Sequence, residues 1–255
     1  MNYFFFLKNI NNNFNSKIDI FNLAPMESFY NNKIKKKYVK VFFLNKSKWE
    51  IINYDEVLPY EIKTYDLNEL NKKYKEQSFF ISLFDKNQDI FQDNNYMNSE
   101  PTWRSNISIR SKHSSASYQG EIPSTITKRK ISLVSCNPMS QDNDNTNSFF
   151  YLVNLLKEPI KLEFTVDIIN SKKSKIGSLK CYTNTINFFD ISKYTVNNEF
   201  LIFKSQDHGG IPIYFNFTND YKFMSLEHTH PPVEYVYGGN RIKIQKEKKK
   251  YWFNQ

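Results

Sequence analysis

The chain has four histidines, and two of them stand together in His228-Thr229-His230, ahead of Pro231-Pro232-Val233-Glu234. In an extended strand, residues i and i+2 point to one side. His228 and His230 would then offer two imidazoles to one ion, and Glu234 a carboxylate beyond the turn that the prolines impose. Two nitrogens with one carboxylate suit iron(II), manganese or zinc, and an open position would make such a metal catalytic. A second group gathers between 103 and 121: Trp103, Arg104, Arg110, His113, Tyr118, Gln119 and Glu121. Aromatic faces beside planar polar side chains suit sugar recognition, and arginine also suits carboxylate or phosphate. The plainer reading of this stretch is a Ser-rich surface strand and loop. A third group is the tail Lys246-Glu247-Lys248-Lys249-Lys250-Tyr251-Trp252-Phe253, basic and then aromatic. It could touch a membrane surface or RNA, but the plainer reading docks Trp252 and Phe253 onto the domain.

The run His228-x-His230-x3-Glu234, followed by Tyr235-Val236-Tyr237-Gly238, resembles the first motif of the cupin family over about a dozen residues. The resemblance implies metal ligands inside a small jelly-roll barrel, and a metal-dependent activity. Cupins take a further histidine from a later strand. This chain has no histidine after 230, so His208, in Asp207-His208-Gly209-Gly210, stands as the fourth-ligand candidate, with His113 as the other.

Other chemistry is not signalled. The chain carries no Gly-rich phosphate loop, no GxSxG elbow and no HExxH pair. Cys136 and Cys181 form no CxxC motif and read as buried free thiols. The start, Met1-Asn2-Tyr3-Phe4-Phe5-Phe6-Leu7-Lys8, lacks the basic lead and long apolar run of a signal peptide or membrane span. It suggests a cytoplasmic, soluble protein.

The elements that must hold these groups are mostly strands. The 23 Phe and 17 Tyr, with few Ala, favour strands over helices. Leu162, Phe164, Val166 and Ile168 alternate with polar residues, as do Ile211, Ile213, Phe215 and Phe217. Such alternation puts one face in a core and one in water, with Pro212 on the outer face marking an edge or bulge. Runs 38–44 and 48–54 read as a hairpin, and 78–84, 131–136, 186–189, 200–203 and 242–244 as further strands. Asp66, with Glu69 three residues on, marks a capping box for one short helix near 67–76. The expected fold is mainly β, an antiparallel sandwich or jelly roll. Its organisation reads as an irregular lead over 1–37, a β-rich region over 38–140 and a C-terminal sandwich over 141–255, or one continuous domain.

The formal net charge of +9 is carried almost wholly by Lys. Lys, Asn, Ile, Phe and Tyr all have AT-rich codons, so codon bias explains the charge more simply than a nucleic-acid partner, which would favour Arg on one face. Three functions follow, in order of preference. The first is a non-catalytic β-sandwich module binding a glycan or a protein partner. The second is a cupin-like metal-dependent enzyme using His228, His230 and Glu234. The third is a basic structural component of a nucleoprotein assembly.

Overall fold

The computed structural model describes residues 2–22, 35–75, 77–84, 86–87, 89–91, 105–120, 122, 132–136, 145–195, 200–228, 247 and 250. These residues form a mainly β structure of four antiparallel sheets, each of four strands. The first sheet has the order β1-β6-β3-β4, built from β1 (Asn2–Phe5), β3 (Lys37–Asn45), β4 (Lys48–Val57) and β6 (Phe80–Phe84). The second has the order β5-β2-β7-β8, from β2 (Asn15–Phe21), β5 (Ile62–Asp66), β7 (Ser105–Arg110) and β8 (Ser115–Gly120). The third has the order β12-β11-β14-β9, from β9 (Ser132–Cys136), β11 (Glu163–Asn170), β12 (Lys175–Tyr182) and β14 (Leu201–Ser205). The fourth has the order β13-β10-β15-β16, from β10 (Thr146–Asn154), β13 (Thr185–Asp190), β15 (Ile211–Thr218) and β16 (Met224–His228). The helices are α1 (Leu67–Tyr74) and the single turn α2 (Ser192–Thr195). No helix among the described residues is long and apolar enough to cross a membrane.

Side-chain parity decides where the core sits. Along β10, Phe150 and Leu152 join Phe164, Val166, Ile168 and Phe203 of the third sheet. Phe150 and Phe203 stack with ring centroids 3.9 Å apart. The alternate residues Phe149, Tyr151 and Val153 join the cluster filled by the first two sheets. The central strands of the fourth sheet, β10 and β15, are therefore buried on both faces. This overturns the expected wet face on β15: Pro212, Tyr214 and Asn216 are buried as fully as Ile211, Ile213 and Phe215. Period-2 alternation marks two faces but cannot say that a second layer covers the other one. Tyr151 donates its hydroxyl to Lys8 O at 2.8 Å, and Trp49 its indole N–H to Lys157 O at 3.0 Å, tying the sequence halves together.

Two boundaries differ from the sequence reading. The lead over 1–37 is not irregular throughout. Tyr3 to Leu7 are fully or almost fully buried, and β2 alternates Ser16, Ile18 and Ile20 inward. Its Asn and Lys neighbours hid that short alternation. The strand β9, placed in the N-terminal region, pairs with β14 of the third sheet, so the polar run 137–148 falls after that sheet has begun. The 38–54 hairpin forms as expected, with Lys46 in the left-handed region at φ 55° and Asn45 opposite Lys48. Asp66 caps α1 by accepting from Asn68 N at 2.8 Å, while Glu69 pairs with Lys72. The strand expected at 242–244 and the C-terminal tail lie outside the described residues apart from Glu247 and Lys250.

The asparagines are structural as well as compositional. Asn184 stands at φ 55° and donates to Glu158 O and Ile160 O, at 2.7 and 3.0 Å. Asn187 donates to Leu152 O and Tyr182 O. A primary amide satisfies buried backbone groups that a turn would otherwise strand.

Candidate functional site

The three described histidines do not form one group: His208 and His228 lie toward the start of β15, and His113 toward its far end. His208 sits in the loop between β14 and β15, its ring edge-on to Phe164 at 5.2 Å. That loop is fixed by Asn154, which donates to Gly209 O at 2.6 Å. A Cβ on Gly210 would lie 2.6 Å from Val153 O, so packing accounts for the glycine. His228 ends β16, its Cα opposite Ile213. His113 lies on the β7–β8 turn, which docks through Ser114 Oγ onto Tyr221 O at 2.7 Å. Tyr221 precedes the start of β16 and His228 ends it, four residues or about 13 Å of strand beyond Met224. His230 and Glu234 lie outside the described residues. No three His, Cys, Asp or Glu among the described residues are placed to hold a metal. Burial pushes the Cys181 thiol up to about 12, so it stays protonated near neutrality.

The 103–121 group divides. Trp103, Arg104 and Glu121 lie outside the described residues. Register places Tyr118 opposite Ile107, on the face that carries Ile109 and the core. Arg110 is opposite Ser115 and Gln119 opposite Asn106, which puts both positions on the other face at opposite ends of the hairpin. Four residues of strand, about 13 Å, separate those ends. Arg110 and His113 share the exposed tip, and β8 runs beside β16.

The clearest constellation is one the sequence reading missed. Val39 pairs with Asp55 and Lys40 with Asn53, so Tyr54 is the extra residue of a β-bulge in the edge strand β4. A bulge re-aims the side chains beside it. Here it turns Tyr54 and Asp55 toward β5 of the second sheet. The Tyr54 and Tyr65 rings meet edge to face at 5.3 Å. Lys63 Nζ donates to both Asp55 oxygens at 2.9 Å and to Glu56 O at 2.7 Å. Tyr65 Oη donates to Asp55 Oδ2 at 3.2 Å. Glu61 lies 3.8 Å from Lys63 and accepts from Leu58 N at 2.7 Å. Lys36 binds both Glu56 oxygens at 3.0 Å and sits over the Tyr38 ring.

Around this network opens a cleft of about 500 Å³, lined among others by Tyr38, Lys40, Tyr54, Asp55, Glu61 and Lys63. Asn22 pins its lip. The amide donates to Val57 O and Lys35 O, its backbone N–H donates to Glu61 O, and its carbonyl accepts from Tyr60 N. Tyr60 is held at φ 66° with 73% of its surface exposed, between the exposed Leu58 and Ile62. Burial pulls the Asp55 carboxyl upward, but the Lys63 ammonium, the Glu56 N–H and the Tyr65 hydroxyl outweigh it and hold the group below the usual aspartate value. Burial, and then the Asp55 charge, push the Tyr65 hydroxyl well above the usual tyrosine value. Asp55 stays ionised and Tyr65 neutral at ordinary pH. A dense mixture of Tyr, Asp, Glu and Lys over 54–65 was the available signal.

The structure belongs to the class of antiparallel β-sandwich proteins with a polar cleft at one sheet edge. No family model, curated protein or solved structure matches this chain.

Proposed function

We propose that this protein is a non-catalytic β-sandwich binding module, and that the β4 cleft takes a glycan. The observation that carries this reading is the pre-organised network around Asp55: a carboxylate, an ammonium and a hydroxyl fixed by one another beneath tyrosine rings. Sugars are bound by planar polar groups that accept and donate to hydroxyls, and by aromatic faces against their C–H surfaces. Acid–base catalysis asks for a group free to change its proton near working pH. Asp55 and Tyr65 are held away from that range in opposite directions. In this reading the exposed Tyr60, next in sequence to the cleft-lining Glu61, is the stacking platform.

An array of neutral and acidic oligosaccharides should yield bound members, and Tyr60→Ala should weaken them about tenfold or more while leaving the fold intact. An array with no bound member would contradict the reading. Stoichiometric iron, manganese or zinc in the purified protein would instead favour a metal centre at His228, His230 and Glu234.

A further inference from the structure

We infer that the ligand of the β4 cleft carries an anionic group, a carboxylate or a sulfate, and that Lys40 receives it. This rests on the cleft reading above and narrows its ligand to an acidic glycan. The other ammonium groups at the cleft are engaged. Lys63 is held by Asp55, Glu56 O and Glu61, and Lys36 by Glu56. Lys40 differs from both. It is only 5% exposed, it lines the cleft, and no carboxylate among the described residues pairs with it. Among the described residues its Nζ lies over the Phe84 ring, with the centroid 5.9 Å away.

Lysine is almost never this buried without a partner. The Lys40 Nζ is not among the fully buried polar atoms left without a partner, so the ammonium opens onto the cleft, where a ligand's acceptor can reach it. Lys40 is fixed in place by its strand. Its carbonyl accepts from Ser82 Oγ, and its Cα stands between Asn53 and Ser82 in the ladder. Asn53 and Asn87 also line the cleft, giving amides beside the ammonium. An acidic sugar fits this set: its anion on Lys40, its hydroxyls on the amides and on the Asp55 network. Asp55, Glu56 and Glu61 face Lys63 and Lys36, and Lys40 is the third ammonium that brings this set of charges to neutrality.

The test is calorimetry with matched pairs: uronic-acid oligosaccharides against their methyl esters, and sulfated against unsulfated oligosaccharides. The intact protein should bind the acidic member of a pair at least tenfold tighter, and the pair that shows it identifies the anion as carboxylate or sulfate. Lys40→Met should bring both members to the affinity of the uncharged one, while Lys40→Arg keeps the preference. Should Lys40→Met not fold, the preference in the unaltered protein must still shrink as salt rises. Equal affinity for both members, or a preference that survives Lys40→Met, overturns the inference and leaves the cleft reading standing. Binding of no member overturns both.

Discussion

The two strands β10 and β4 are similar in length and stand at opposite extremes of the same molecule. β10 lies inside the fourth sheet, buried on both faces, with Phe150 against Phe203 on one side and Tyr151 reaching Lys8 on the other. β4 edges the first sheet, half exposed, and is broken by a bulge at Tyr54. Dispersion and hydrophobic burial dominate around β10, where nearly every side chain is out of water. Around β4, ion pairs and hydrogen bonds set geometry while adding little to stability, because they stay partly solvated. Stability and recognition are therefore separable in this fold, and substitutions in the two regions should have opposite signatures.

The largest effect on stability belongs to β10. Phe150→Ala removes a fully buried ring and should cost about 3–5 kcal/mol, read from urea or guanidinium unfolding. Glycan binding, scaled for the folded fraction, should not change. Gly210→Ala comes next. Its Cβ would meet the Val153 carbonyl at 2.6 Å, so the chain must shift, at about 1–3 kcal/mol. Asp55→Asn should invert the pattern. The pair with Lys63 is about one-third exposed, so the stability loss should stay near 1 kcal/mol or less, while ligand affinity falls at least tenfold. The acid limb sharpens this. A carboxyl held below its unfolded value contributes stability that is present above about pH 4 and is lost as pH falls through the folded value. Asp55→Asn should flatten that part of the stability profile. The smallest effect belongs to the exposed Glu69–Lys72 pair, where Glu69→Gln should change stability by no more than about 0.5 kcal/mol.

The difference between the regions also explains what could be read from the sequence. Of the alternating Leu162, Phe164, Val166 and Ile168, the last three occupy the buried face of β11, while Leu162 precedes the strand and is exposed. The Asp66 cap and the 38–54 hairpin were equally legible, because each is a local pattern. Double burial of β10 and β15 was not, since Pro212, Tyr214 and Asn216 look like a wet face until another sheet is known to cover them. The cleft was hidden for a related reason. Asp55 meets Lys63 and Tyr65 only because a bulge in β4 and the pairing of β5 with β2 bring two different sheets to one corner. Sequence reasoning favours residues that are rare or repeated, as at His228 and His230, and passes over common residues that become a site only when assembled.

Hydrogen–deuterium exchange, with and without a bound acidic oligosaccharide, tests the central claim most directly. Exchange should slow only in the segments around 38–40 and 53–63, with β10 unchanged. Protection centred instead on 103–121 or on 228–234, with none at β4, would contradict it.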